Sequence, residues 1–313
     1  MELVTLWMAV GFLFAAYSVI ANDSVQTLGT WIASNKEHFN WKTLWAAASS
    51  VLLWAIWYSW FTAGGDISYG RLTQIPYVEI QWYHALAPGL LVLLTRFGVP
   101  VSTSFLVLSA FASTIVLEKI LMKSVAGYAI AALVAYVVWY AINKYFSNQA
   151  PVKKEHEKRW RVAQWTVTGF LWWTWLSHDM ANMAVFLPRE VPLTAMFLIS
   201  ALFVGGLGYM FYEKGGKIQG IIQSKHATSY VRSATMIDLV YLLVLYVFKE
   251  WNNIPMSTTW VFIGLLSGRE LAHASFSQAE MSRVFPIIAK DFFKLVIGVI
   301  CSLAVILTIH TLT

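Results

Sequence analysis

The sequence predicts an all-α, polytopic membrane protein of two inverted repeats, each with about five transmembrane helices and a re-entrant or broken helix. Three observations predict it. Of the 313 residues, 58% are hydrophobic and only 12% are charged, with mean hydropathy +0.61; a soluble domain carries about 25% charged residues. Several apolar runs approach the roughly 20 residues that a bilayer crossing needs. Two polar motifs recur at nearly one offset: Asp23 to Asp179 is 156 residues, and Pro100 to Pro255 is 155.

Composition also bounds function. A net charge of +6 and a pI near 9.3 do not indicate nucleic acid, because the positive residues sit in short loops, as the cytoplasmic excess of Lys and Arg requires. Sixteen Trp and fourteen Tyr fit aromatic belts at the two interfaces. The single cysteine, Cys301, excludes an intrachain disulfide and a Cys-based metal site. Met1-Glu2 lacks the basic start of a secretory signal, so the first apolar run is expected to be a retained span.

The first run, residues 3–33, is interrupted by Asn22-Asp23-Ser24-Val25-Gln26-Thr27. An aspartate at membrane depth costs roughly 2.5–3.5 kcal/mol on insertion scales, so something must compensate it. The second run is 44–61. A polar connection, 62–81, leads to a third run, 82–95, with Pro88-Gly89 inside it and a kink expected there. The segment from Arg96 to Ser104 holds Pro100 and the hydroxyls Ser102, Thr103 and Ser104. Irregular backbone at that depth is tolerated only against protein or a cavity. Runs 105–117 and 125–142 complete the first half.

A linker with six basic and two acidic residues, net +4 between Asn143 and Val162, is the densest positive cluster and is expected in the cytoplasm. The domains are therefore read as 1–146, first repeat; 147–160, linker; and 161–313, second repeat. In the second half an apolar run, 165–176, leads into His178-Asp179-Met180-Ala181-Asn182. Spans 194–212 and 235–248 follow, then Ile254-Pro255-Met256-Ser257-Thr258-Thr259. An odd number of crossings per half inverts the second repeat and places both termini outside. Inverted repeats with broken helices meeting at mid-membrane are a design of secondary transporters.

The paired motifs suggest complementary chemistry. Helix N-termini carry unpaired N–H groups and a positive dipole end. Two of them, rich in Ser and Thr, would wrap a tetrahedral anion in neutral donors; the plainer role for those hydroxyls is helix capping. Asn22, Asp23 and Gln26, matched by His178, Asp179 and Asn182, offer the carboxylate and amide oxygens that hard cations take. Asp23 and Asp179 are the expected sodium ligands. Asp238 is expected near the end of its span, His84 at an interface, and Arg96 and Arg269 as orientation charges or vestibule charges.

At these residues the chain resembles the PiT inorganic phosphate transporters. That family has a Gly-Ala-Asn-Asp-x-x-Asn-x-x-Gly-Thr type signature in each half, with a Pro-x-Ser-Thr-Thr-His motif later in each. Here Ala21-Asn22-Asp23 through Gly29-Thr30 and Ser177-His178-Asp179 through Asn182 match the first, and Pro100 to Ser104 and Pro255 to Trp260 the second. The resemblance covers nearly the whole chain. It implies a transporter, not an enzyme, located in the plasma membrane, that imports phosphate with co-transported sodium by alternating access. The cation would lie at Asn22, Asp23, Asp179 and Asn182, and the anion at Ser102, Thr103, Ser257, Thr258 and Thr259. Gln26, His178, Ser104 with Phe105, and Trp260 depart from the family pattern. Imidazole is a poor sodium ligand that titrates near neutrality, so the alternative is a sulfate or other oxyanion carrier coupled to protons through His178. By the same token the Asp23 half is expected to be the more sodium-like. The expected partners are the oxyanion, the lipid bilayer and, in one arrangement, a second copy of the chain; no nucleic acid is expected.

Overall fold

The computed structural model describes residues 6–97, 102–108, 110–145, 154–215, 219, 230–251, 254–276 and 278–312, and these form helices joined by turns, with no strand. Helix α1 (Leu6–Ser18) passes through a π-helical turn (Val19–Asp23) directly into α2 (Ser24–Asn35). Helix α3 (Trp41–Thr62) is capped by Asn40, whose side chain accepts from the Thr43 amide. A looped connection with a 3-10 turn at Arg71–Gln74 and another at Trp82–Ala85 precedes α4 (Leu86–Arg96). A second π turn (Ser104–Leu108) follows, then α5 (Thr114–Tyr145). The second half holds α6 (Lys154–Asp179), the single turn α7 (Ala181–Ala184), α8 (Leu193–Tyr212), α9 (Val231–Trp251), α10 (Thr258–Ala274) and α11 (Gln278–Leu312).

Among the described residues, six helices are long and apolar enough to cross a membrane: Leu6–Asn35, Trp41–Thr62, Thr114–Lys144, Leu193–Tyr212, Val231–Trp251 and Glu280–Ile309. Their outer faces expose large apolar side chains such as Phe61, Leu133, Leu198 and Leu307, as lipid-facing surfaces do. The chain is a membrane protein.

Several sequence expectations change. Runs 105–117 and 125–142 are not separate spans, because residues from Thr114 onward form one 32-residue helix. The charges that divided those runs do not break it: Lys123 is buried and its ammonium donates to the Ile254 carbonyl at 2.9 Å. Pro88-Gly89 makes no mid-helix kink, since it falls in the first turn of α4, where a missing N–H costs little. The tryptophans are not all interfacial. Indole N–H groups of Trp45, Trp57 and Trp60 on α3 donate to the Val204 carbonyl, the Ser200 hydroxyl and the Val191 carbonyl on and before α8. The buried Trp172 donates to the Ala48 carbonyl. His84 is buried rather than interfacial, stacked on Phe111 and accepting from the Gln81 amide. Arg269 is buried on α10 and paired with Glu270 at 3.1 Å. Pro100, the linker residues 146–153 and Asn252-Asn253 lie outside the described residues.

Helix pairing positions the site. Helix α1 packs against α4 and α6 against α9, while α3 lies on α8. The most extensive contact joins α10 to α5. A Cβ at Gly264 would meet the Tyr128 carbonyl oxygen at 2.4 Å, and one at Gly268 the Ala132 carbonyl oxygen at 1.9 Å. These glycines, four residues apart, let two backbones touch, as small residues do between membrane helices. The break before α10 is thereby braced along a whole helix. Gly268→Ala is expected to force the pair apart at a cost of about 1–3 kcal/mol, read as a lowered thermal midpoint in detergent. Gly169→Ala on α6, where nothing lies within 4 Å, should leave the midpoint unchanged or raise it.

Candidate functional site

Asn22 and Asp23 end the π turn that joins α1 to α2. A π turn widens the helix by one residue and shifts the side chains that follow; such turns cluster at functional positions. Asp179 is the last residue of α6, and the chain re-forms a single turn at Ala181. Both carboxylates therefore sit where a transmembrane helix is locally irregular. Both are 1% exposed, and they lie near enough for their charges to repel each other.

The segment after Pro100 reaches both. The Thr103 hydroxyl donates to Asp23 Oδ2 at 2.5 Å. The Ser104 hydroxyl lies 3.4 Å from Asp179 Oδ1 and 3.0 Å from the Met256 carbonyl. Residues 75 to 80 positions apart in sequence are thus joined directly. The amide of Asn22 donates to Asp23 Oδ1 at 2.6 Å, and Gln26 Nε2 holds the Asn22 oxygen at 3.1 Å. In the second half Asn182 Nδ2 donates to Asp179 Oδ1 at 2.8 Å. Asp179 Oδ2 and Asn182 Oδ1 are buried with no hydrogen-bond donor. Carboxylate and amide oxygens of this kind are the ligands that hard cations take.

All the sequence-predicted ligands are buried, but their roles divide. Ser102 and Ser257 are caps: their hydroxyls accept from the Phe105 and Trp260 amides at 3.1 and 3.2 Å. Thr103 and Ser104 face the carboxylates. Thr258, on the first turn of α10, accepts from the Trp175 indole at 3.2 Å, while its carbonyl accepts from the Tyr241 hydroxyl at 3.2 Å. Thr259 is buried in the same turn. His178 is not joined to the carboxylates; its Nε2 contacts the Leu245 carbonyl on α9 at 2.9 Å.

Two site residues escaped the sequence reading. Arg71, in the 3-10 turn after α3, is 2% exposed. It donates from Nε to the Ser177 carbonyl at 2.6 Å and from Nη1 to the Ile254 carbonyl at 3.5 Å. Burial lowers its guanidinium to about 10, opposed by Asp179 and Glu250, so it stays cationic at neutral pH. Lys123 converges on the same Ile254 carbonyl. Two basic side chains therefore converge just before α10. Lys123 interrupts an apolar run, and an intramembrane charge is a functional signal by default; Arg71, inside a polar connection, carried none. Asp238, expected near the end of its span, is 1% exposed about two turns into α9, which begins at Val231.

A cavity of about 340 Å³ lies beside the first π turn, lined among others by Tyr17, Ile20, Ala21, Thr95, Arg96 and Glu213.

Ser124, on α5, accepts from the Ser257 amide at 2.8 Å. Ser124→Ala would leave that buried N–H without an acceptor, at about 1–3 kcal/mol. The expected outcome is a lower thermal midpoint in detergent, with Ser50→Ala on the exposed side of α3 as the silent control.

In sequence, no protein-family model matches the chain and no curated protein matches it. In structure it is similar to a solved protein described as "The sodium-dependent phosphate transporter", with a TM-score of 0.62 at 16% identity, covering 98% of this chain and 98% of that one. At that identity the likeness is one of fold, and it runs end to end: this chain has the architecture of that transporter.

Proposed function

We propose that the chain is a secondary transporter that carries inorganic phosphate across the membrane together with sodium, by alternating access between two inverted repeats, 1–146 and 161–313, with the basic linker 147–160 in the cytoplasm. The observation that carries this reading is the hydrogen bond from the Thr103 hydroxyl to Asp23, with the Ser104 hydroxyl, which donates to the Met256 carbonyl, 3.4 Å from Asp179. The two residue types that the sequence paired as anion donors and cation ligands compete for one another.

That competition is a coupling device. A hydroxyl given to a carboxylate is not available to an anion. A sodium ion on each carboxylate neutralises the repelling pair and takes up its lone pairs. The Thr103 and Ser104 hydroxyls are then free to turn toward an oxyanion, which Arg71 and Lys123 attract from the other side. Each ligand favours the same arrangement, so each strengthens the other's binding. Occupied by both, the centre carries less net charge and can pass through a membrane-buried state at lower cost.

Sodium is favoured over protons because His178 is engaged with α9 rather than with Asp179. The second cation position then rests on the oxygens of Asp179 and Asn182, which lack donors. In the Asp23 half, the carboxylate oxygens accept from Asn22 and Thr103, donors that sodium would have to displace. Phosphate is favoured over sulfate because hydrogen phosphate brings an O–H donor to a site rich in carboxylate acceptors, whereas sulfate brings none. The solved transporter of the same fold is described as sodium-dependent and as carrying phosphate, which agrees.

Radiolabelled phosphate uptake into proteoliposomes tests the reading. Uptake should require an inward sodium gradient and be poorly inhibited by sulfate. Asp23→Asn should abolish it, and Thr103→Val should lower it about tenfold or more, the loss of one hydrogen bond to a charged group. Uptake that ignores sodium and follows a pH gradient would sink sodium coupling.

A further inference from the structure

The cavity beside the first π turn is lined by none of the carboxylate or hydroxyl groups of the central site. It holds about 340 Å³ and lies between α1 with its π turn, the end of α4, and α8. Ile20 forms part of one wall, and Gly206 and Met210 part of another. These walls meet closely, since a Cβ on Gly206 would stand 2.5 Å from Ile20 Cδ1.

Polar groups gather at the other end. Glu213 directly follows α8 and is exposed. Arg96 ends α4 and is exposed as well. A carboxylate and a guanidinium therefore line one cavity. Thr95, beside Arg96, is only 5% exposed, and its hydroxyl is buried without a hydrogen-bond partner. A buried hydroxyl left unpaired costs about 1–3 kcal/mol, and a native fold rarely leaves one so. The open space on which this hydroxyl borders is the cavity.

The depth follows from α8. That helix has 20 residues, about 30 Å at 1.5 Å per residue, which matches the hydrocarbon thickness of a bilayer. Its last residue, Tyr212, therefore stands at the bilayer surface and Glu213 at headgroup level. Gly206 lies seven residues earlier, about 10 Å deeper. Tyr209 lines the cavity between these levels and is largely exposed, as interfacial aromatic side chains are. The cavity is thus charged at headgroup level and apolar below it, and it opens where lipid lies.

We propose that this cavity is a phospholipid site, selective for a headgroup that carries a primary ammonium. One acyl chain lies against Ile20, Gly206 and Met210. The phosphodiester, singly negative, accepts from the Arg96 guanidinium and the Thr95 hydroxyl. The headgroup ammonium donates to the Glu213 carboxylate. A choline headgroup has the same charge but no N–H, and a glycerol headgroup has no cation, so neither makes that charge-assisted bond. Free phosphate is the poorer occupant, because it would leave the apolar walls against water. Occupancy bears on the central site as well: Ile20 belongs to the π turn that ends at Asn22 and Asp23, so an acyl chain on Ile20 braces that turn. The site needs only that the chain lies in a membrane, and it is independent of what is transported.

Native mass spectrometry of the full chain in detergent, titrated with phosphatidylethanolamine, tests this. The lipid should stay bound under conditions that strip phosphatidylcholine and phosphatidylglycerol, a preference of about tenfold, the worth of one hydrogen bond between charged groups. Glu213→Gln should erase the preference. Arg96→Gln should weaken retention of all three lipids about tenfold. Thr95→Val, which keeps the side-chain shape, should weaken it about fivefold; this variant carries the test if Arg96→Gln does not fold, with the thermal midpoint checked for each. Phosphatidylethanolamine retention unchanged by Glu213→Gln and Thr95→Val overturns the proposal. Equal retention of the three lipids by the unsubstituted chain, the mark of an unspecific lipid contact, overturns it too. Displacement of the lipid by millimolar inorganic phosphate would make the cavity a phosphate site and overturn it as well.

Discussion

Two carboxylates buried side by side in a membrane interior set the terms for the rest of the molecule. Asp23 and Asp179 repel each other and are cut off from water. Each alone is expensive at that depth. The chain answers by breaking regular structure around them. A π turn presents Asn22 and Asp23, a helix end presents Asp179, and a second π turn beginning at Ser104 brings hydroxyls to both. Irregular backbone carries its own cost, since its amides and carbonyls need partners in a medium without water. Those partners are on hand: Ser102, Ser257 and Ser124 take up amides, and Arg71 and Lys123 cover the Ser177 and Ile254 carbonyls.

The scaffold explains how such breaks are held in place. Helix α10 begins at the hydroxyl turn and lies with its backbone against α5 at Gly264 and Gly268. Close contact of that kind leaves α10 little freedom to tilt without moving α5 too. Helices α3 and α8 are laced instead by indole N–H groups reaching carbonyl and hydroxyl oxygens across the interface. Between lipid-facing helices an indole provides both apolar area and one donor. The candidate site thus sits between closely packed helix pairs.

Helix α2 joins two polar regions in this architecture. One end of its polar stripe begins at Asp23, and the other meets the polar network of Gln164, Arg161 and Glu157. Asp238 lies between them, tied to α2 and α6 at once. Separating α2 from α6 would part these bonds, so Asp238 ties the positions of the two helices together.

The membrane class, the helical content and the central residues were legible in the sequence because they rest on local properties. Hydropathy is a sum over neighbours, and Asp23 stood out because a charge within an apolar run has few explanations. The offset of 156 residues paired it with Asp179 before any coordinates. Other features were decided only by the tertiary structure, since they depend on which residues meet from distant parts of the chain. Ser102 and Thr103 are adjacent and chemically alike, yet one caps a helix and the other grips Asp23. His178 turns toward α9 because a carbonyl at Leu245 faces it. Arg71 reaches the site from a loop whose composition marks it as solvent-facing. Asp238 reads as a span-end charge until Thr30 and Thr168 are seen on either side. The sequence alone determined that two carboxylates and two sets of hydroxyls had to be compensated within a membrane. Packing decided which hydroxyl meets which carboxylate, because helix direction and backbone approach are properties of pairs of segments and not of either one.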